Sequence, residues 1–153
     1  INMQVINASI DDIEIITLLE NNRFTTDAWN KKQWENEFKQ NEFSYILLLK
    51  DNEEVIGYID FWILFEQATI NKICIKKDKE GNGCGSYLLN EALKIIDSEN
   101  CLSTSLEVRV SNTKAIKLYE KFLFKKILTK KNYYSDGEDC YFMIRSIGDV
   151  YEG

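Results

Sequence analysis

Glu80-Gly81-Asn82-Gly83-Cys84-Gly85-Ser86 constrains this chain more than any other stretch. It lies between a strand-like segment, Gln67 to Ile75, and a helix-like one, Tyr87 to Glu99. Three glycines within five residues keep side chains off the backbone at a strand-to-helix turn. Several N–H groups can then face one ligand, with the positive end of the helix dipole behind them. Such a turn can seat a phosphate or pyrophosphate. It is not a P-loop, because no Lys-Ser/Thr pair follows the last glycine. It is a poor dinucleotide fingerprint, because the spacing is wrong and no early βαβ unit surrounds it. Read alone, it requires no more than a turn.

The segments around it set the architecture. Met3 to Ile6 reads as a strand. Ser9 caps a helix to about Asn22, with Ile10, Ile13, Leu18 and Leu19 on its buried side. Thr26 caps a second helix, near Asp27 to Gln40, on which Trp34 and Phe38 are one turn apart. Ser44 to Lys50 and Glu54 to Leu64 form a hairpin around Asp51-Asn52-Glu53. After the strand Gln67 to Ile75 and the glycine turn, Leu88, Leu89, Ala92, Leu93 and Ile96 form the apolar face of the next helix. Leu102 to Val108 is a strand and Asn112 to Phe122 a short helix. Phe124 to Tyr133 and Cys140 to Ile147 are two last strands, joined through Ser135-Asp136-Gly137. The order β-α-α-β-β-β-α-β-α-β-β, without a Pro/Gly/Ser linker, predicts one α/β domain over 1–153 around a mixed central sheet. Ile1-Asn2 before Met3 reads as a cloning remnant.

Composition narrows the chemistry. The chain has no histidine, which removes Ser-His-Asp and Cys-His machinery and every His-ligated metal site, so acid–base work falls to Asp, Glu, Tyr, Lys or Cys. The four cysteines, at 74, 84, 101 and 140, form no Cys-x-x-Cys pair and suit no zinc ribbon. They read as free thiols in a reducing cytosol, and no metal is expected. The formal charge of −6 argues against nucleic acid or an anionic membrane as partner; it suits a basic peptide, or solubility alone. The longest apolar runs, such as Tyr45 to Leu49 and Phe61 to Phe65, are too short to span a bilayer. No signal peptide is seen, and a cytoplasmic protein is expected.

Four further stretches, correctly ordered, fill in the picture. Asn71-Lys72-Ile73-Cys74-Ile75 precedes the glycine turn. Leu106-Glu107-Val108-Arg109 follows it. Then come Ser111-Asn112 leading to Ala115-Ile116-Lys117-Leu118-Tyr119-Glu120, and Asn132-Tyr133-Tyr134 with Glu138-Asp139. On these residues, over about 57 to 145, the chain resembles the GNAT superfamily of acetyl-CoA-dependent N-acetyltransferases. Its strongest likeness is to the RimI-type enzymes, which acetylate the N-terminal alanine of a small-subunit ribosomal protein. The resemblance implies the GNAT (acyl-CoA N-acyltransferase) fold, with helices on both faces of the sheet. It also implies acetyl-CoA as co-substrate, a protein N-terminus as acceptor, and an enzyme expected to be monomeric. One residue departs from the pattern: Glu80 stands where the superfamily usually has Gln or Arg. Lys76, Lys77 and Lys79 can offset it, or it can point to solvent.

By the same resemblance, acetyl-CoA lies in a splay between the strands ending at Ile75 and Val108. Backbone groups of Ile73, Cys74 and Ile75 hold the pantetheine and acetyl group, although these residues are equally read as plain core strand. Gly81, Asn82, Gly83, Cys84, Gly85 and Ser86 cradle the pyrophosphate. Asn112 hydrogen-bonds the cofactor or caps its own helix. Glu107 is the expected general base. Leu106 and Val108 face the other side of the sheet, so Glu107 stands alone on its face, and the competing reading is a salt bridge with an Arg or Lys of a neighbouring element. Tyr119 is the expected general acid, protonating the departing thiolate; the competing reading is an amphipathic-helix tyrosine packed with Ala115 and Phe122. Tyr133 and Tyr134 frame an acceptor slot with the loop from Phe24 to Trp29, unless they are only strand packing. Asp136, Glu138 and Asp139 are placed to attract a basic segment. Rival readings are a small-amine or lysine acetyltransferase, a weakly catalytic acyl-CoA-binding module, and a structural interaction domain. A ping-pong route through Cys84 or Cys140 lacks an evident thiolate-stabilising site.

Overall fold

In Ser44–Asp51 (β2), Leu47 and Leu49 alternate with Ile46 and Leu48, and all four are buried. A strand apolar on both faces must be covered on both, and this alternation sets the layering. The computed structural model describes residues 2–23 and 27–152. A seven-stranded sheet runs in the order β1-β2-β3-β4-β5-β7-β6. Its members are β1 (Met3–Asn7), β2, β3 (Glu54–Leu64), β4 (Gln67–Ile75), β5 (Ser103–Arg109), β6 (Lys125–Lys130) and β7 (Cys140–Ser146). Among the described residues only β4 and β5 pair in parallel; every other pair is antiparallel. The expected mixed sheet with helices on both faces is therefore present.

One face carries α1 (Ile13–Arg23) and α2 (Lys31–Lys39), packed through Ile13, Ile16, Leu19 and Trp34 onto Ile46, Leu48, Tyr58 and Cys74. The other carries α3 (Cys84–Ser98) and α4 (Thr113–Lys121). There Leu88, Leu89, Ala92, Leu93 and Ile96 form the expected apolar face and meet Leu47, Leu49, Phe61 and Leu106. Among the described residues no helix is long and apolar enough to cross a membrane.

Several expectations need correction. Ile10 and Leu18 are exposed rather than buried. A 3₁₀ turn at Ile10–Asp12 precedes α1, and the helix buries the stripe Ile13, Ile16, Leu19 and Glu20. The second helix starts later than expected and is capped by Asn30. Its side chain accepts from the Gln33 N–H while the Gln33 side chain accepts from the Asn30 N–H, both at 2.8 Å. Thr26, expected as that cap, lies outside the described residues. Phe124 and Tyr133 fall outside β6, and the chain beyond β7 forms a further helix, α5 (Ile147–Glu152), where the strand was expected to reach Ile147.

Candidate active site

The sheet opens at its centre. β4 pairs with β3 as far as Ile75, but with β5 only from Gln67↔Ser103 to Thr69↔Ser105. Beyond that point the two parallel strands part, leaving the β4 edge around Ile73, Cys74 and Ile75 facing a gap. A register shift between Asp60 and Phe61 in the β3–β4 ladder bends β4 where it leaves β5. Gly57 lets β3 follow closely: a Cβ there would lie 2.7 Å from the Cys74 carbonyl oxygen. This is the splay expected from the resemblance.

The glycine turn closes one end of that gap. Gly81 and Gly83 have φ of +81° and +77°, the left-handed region that a side chain disfavours. Gly83 is the N-cap of α3 and no side chain caps the helix. The Tyr87 N–H donates to the Gly83 carbonyl at 3.0 Å, so the N–H groups of residues 84–86 precede the first intrahelical bond. Such donors suit a diphosphate. The Asn82 side chain bonds the Lys79 and Glu80 carbonyls, and the Ser86 hydroxyl accepts from Lys121 at 3.1 Å. Cys84 turns its side chain into the core, where burial pushes the thiol up from its ordinary range. Only its backbone is available to a ligand. Lys114 of α4, which was not expected, brings its Nζ to 3.7 Å from the Glu80 carboxylate. Lys76 pairs with Glu54 instead.

The two expected catalytic side chains lie on opposite sides of the sheet, Glu107 on β5 and Tyr119 on α4. Leu106 and Val108 are buried toward α3 and α4, and Glu107 faces the α1/α2 side. The structure gives Glu107 the salt bridge of the competing reading: Lys130 Nζ lies 2.6 Å from its Oε2. Tyr133 lies beside the same carboxylate, and burial, then that negative charge, raises its phenol above the usual range. Tyr119 sits in the other core cluster with its ring 5.8 Å from Phe124. Burial raises its phenol as well, so it keeps its proton until a strong base appears nearby. The protein itself does not bring Glu107 and Tyr119 together: Glu107 is on the α1/α2 face of β5 and Tyr119 is in the core cluster on the α3/α4 side. Asn112 caps α4, its side chain accepting from the Ala115 N–H at 3.2 Å.

Beyond Glu107 the same face carries a charged junction. Arg109 forks onto Asp27 at 2.8 and 2.9 Å, and its Nη1 reaches Asp136 and Glu138, each at 2.8 Å. The Tyr134 ring stacks on its guanidinium at 4.0 Å, and Tyr133 meets Tyr134 edge-on at 5.0 Å. The tyrosines are therefore a platform tied to β5 rather than strand packing. Phe24, the third expected acceptor contact, lies outside the described residues. Asp136 and Glu138 hold Arg109, and Asp139 pairs with Lys131 at 3.3 Å. The carboxylates expected to draw in a basic segment are thus already engaged within the protein. Bonds from Ser111 and Arg109 hold Glu138 below the ordinary carboxylate range.

Sequence reasoning missed the support beneath this junction. Glu20 is fully buried. Its carboxylate accepts from Lys72 Nζ and Trp34 Nε1, both at 2.7 Å, and from the Trp29 N–H at 3.1 Å. Lys72 also donates to the Asp27 carbonyl. One buried ion pair therefore anchors residues 27–29 and delivers Asp27 to Arg109. Glu20 falls on the buried stripe of α1, four residues after Ile16, and that placement was the available signal. All four cysteines are buried and, among the described residues, none is in a disulfide.

Comparison with known proteins accords with this geometry. The sequence profile described as the Acetyltransferase (GNAT) family matches residues 13–124. A Bacillus subtilis (strain 168) protein named "Putative [ribosomal protein bS18]-alanine N-acetyltransferase" is 33% identical over 144 residues, which are 94% of this chain and 95% of that protein. An N-alpha-acetyltransferase of Saccharolobus solfataricus is 32% identical over 155 residues, covering 92% of this chain and 91% of its own. The crystal structure of the ribosomal-protein-S18-alanine N-acetyltransferase from Escherichia coli matches with a TM-score of 0.86 at 26% identity. That match covers 95% of this chain and 94% of that one. By sequence and by fold, the chain belongs to the acetyltransferase (GNAT) family and is an N-acetyltransferase.

Proposed function

We propose that this enzyme transfers the acetyl group of acetyl-CoA to a protein N-terminal α-amine, that of the N-terminal alanine of a small-subunit ribosomal protein. The observation that carries this reading is the parting of β4 from β5 beyond Thr69↔Ser105; in the proposed reaction Glu107 acts into that opening from the α1/α2 side and Tyr119 from the α3/α4 side. The names of the relatives, one acting on an alanine of bS18 and another on α-amines, support it.

The residues present fit acetyl-CoA. The parted edge of β4 offers strand-like backbone groups to a pantetheine arm, and the uncapped start of α3 offers N–H groups to a diphosphate. Lys114 screens the carboxylate of Glu80 beside them. Asn112 keeps its side-chain amide N–H₂ for the cofactor while its oxygen caps α4. Acetyl-CoA supplies the activated acyl carbon; the protein positions the groups and moves protons. Glu107, through water, takes a proton from the acceptor ammonium. The neutral nitrogen forms its bond to the thioester carbonyl carbon, and the C–S bond breaks. Tyr119 gives its proton to the sulfur that leaves, and the second proton on the new amide nitrogen passes through water to the tyrosinate, restoring Tyr119, while Glu107 releases its proton to solvent.

The acceptor preference follows from basicity. A peptide α-amine has a pKa of about 7.7–8.0 and a lysine about 10.4, a gap of roughly 3.4 kcal/mol in deprotonation. One carboxylate working near neutral pH favours the former. The test is intact-mass detection of acetyl transfer to a basic peptide beginning with alanine, beside the same peptide with a blocked α-amine and a free lysine. Modification of the free-amine peptide alone supports the reading. Modification of lysine alone overturns the acceptor assignment. Transfer to neither, with acetyl-CoA still bound, moves the acceptor to a small amine.

A further inference from the structure

Lys130 is the last residue of β6, an edge strand whose other members are all exposed. Its ammonium does not trail into solvent. Nζ makes the 2.6 Å bond to Glu107 and lies 4.9 Å from the Phe142 ring centre and 5.4 Å from that of Tyr133. A lysine of an edge strand ordinarily serves solubility. This one is folded back over two aromatic faces onto the residue assigned as general base. The bond to Glu107 raises Lys130 above the ordinary lysine range, so it stays cationic throughout neutral and mildly alkaline pH.

The surrounding charges leave this pair electrically distinct. Tyr133 from the β6–β7 loop and Cys140 from β7 face it, and desolvation raises both, keeping them neutral near pH 7. Arg109, two residues along β5, is balanced by Asp27, Asp136 and Glu138. Lys72 of β4, on the same face, is held by Glu20. The positive charge that acts on an amine arriving at Glu107 is therefore that of Lys130.

We propose that Lys130 is a positioning residue that sets the protonation state of the acceptor: it orients the Glu107 carboxylate and turns aside the ammonium form of the incoming amine. A carboxylate alone would hold an ammonium as an ion pair, binding it well and keeping it protonated, which leaves nitrogen without a lone pair for attack. A fixed cation beside that carboxylate cancels the attraction. The neutral amine then becomes the form that sits stably between base and thioester. The cost is weaker capture of the ammonium, so the residue exchanges tighter ground-state binding for turnover.

The proposal rests on the assignment of Glu107 as base, and the test separates the two. Acetyl transfer from acetyl-CoA to the alanine peptide is measured from pH 6 to pH 9.5 for wild type, Lys130→Met, Lys130→Arg, Glu107→Gln and the Glu107→Gln/Lys130→Met double variant. For Lys130→Met, kcat at pH 7 falls about tenfold, the ascending limb of kcat moves about one pH unit upward, and KM for the peptide stays level or drops. Lys130→Arg returns the limb to its wild-type position. In the Glu107→Gln background the Met substitution moves the limb less than it does beside an intact Glu107, because only the direct repulsion of the ammonium is then removed. A uniform loss at all pH values with a raised KM, or no change, overturns the proposal and leaves Glu107 as base if Glu107→Gln is slow. Wild-type turnover in Glu107→Gln, or no transfer by the wild type, overturns the reading of the site and the proposal with it.

Discussion

The two faces of the sheet bury their surfaces by different means. Toward α3 and α4 the interior is almost wholly apolar: Leu88, Leu89, Ala92, Ile96, Leu106 and Phe61 are at or near zero exposure. Its buried charge, Arg145, sits in a two-pronged pair with Asp97 at 2.9 Å. Toward α1 and α2, Glu20, Glu37 and Asp60 are all buried, with Lys72 reaching in to Glu20. Buried apolar surface is non-directional and stabilises whatever shape it fills. Buried carboxylates are directional, because each must find donors. The first face is a platform that fixes the strands and Tyr119. The second aims groups: through Glu20 and Lys72 it fixes residues 27–29, and through Arg109 it ties them to the loop bearing Tyr133 and Tyr134. The difference teaches that the α1/α2 face is ordered by charge pairs as well as by packing.

Breaking the apolar face gives the largest effect. Leu88→Ala removes a fully buried side chain and is expected to destabilise the protein by about 4 kcal/mol in urea unfolding, with the peptide KM of the remaining folded enzyme unchanged. A loss below about 1 kcal/mol would show that the core collapses around the vacancy. On the other face, Lys72→Met strands the buried Glu20 carboxylate and should cost about 3 kcal/mol. Here the peptide KM rises too, since residues 27–29 lose their anchor. A KM unaltered by Lys72→Met would remove the distinction between the faces.

Asp60 sharpens the comparison through pH. Its Oδ1 accepts from Asn71 Nδ2 at 3.0 Å, while its Oδ2 is buried without a donor. Burial first, then the neighbouring Glu37, raises Asp60 to about 9. A proton on Oδ2 turns that orphan acceptor into a donor. Between the unfolded value near 3.9 and about 9, the folded chain holds a proton that the unfolded chain has released. The contribution is therefore complete below about pH 4 and is lost as pH rises through about 9. Asp60→Asn, which keeps an acceptor for Asn71, should remove most of the wild type's loss of stability between pH 5 and pH 9. Parallel urea midpoints for the two proteins at both pH values would contradict this.

The smallest expected change is at the glycine turn. A Cβ at Gly83 meets nothing within 4 Å, so Gly83→Ala is penalised by its φ of +77° alone. The expected loss is about 1 kcal/mol, with weaker acetyl-CoA binding by calorimetry. Unchanged affinity would detach the left-handed turn from cofactor binding.

The same contrast explains what could be read from the sequence. The apolar face of α3 was legible because its residues recur with the helical period and face one way. The strands and their order were legible from alternation and from turn residues between them. Ile10 and Leu18 were misplaced because the 3₁₀ turn before α1 shifts the phase of the stripe. The buried charges of the second face, Glu20, Glu37 and Asp60, were not picked out. Glu20 and Lys72 are 52 positions apart and carry no local sign of each other. Lys130 likewise meets Glu107 only because β6 folds back beside β7. Glu107 and Tyr119 were visible through the resemblance of their surroundings, and the structure adds the partner that the first carries and the burial of the second.

The account turns on Glu107 and Tyr119 acting from opposite faces on one gap. The most direct test is single-turnover acetyl transfer to the alanine peptide by Glu107→Gln and Tyr119→Phe, with acetyl-CoA affinity measured by calorimetry on the same preparations. The account predicts that each variant transfers at least about tenfold, and on the order of a hundredfold, more slowly while binding acetyl-CoA as the wild type does. Wild-type transfer rates in both variants would contradict it.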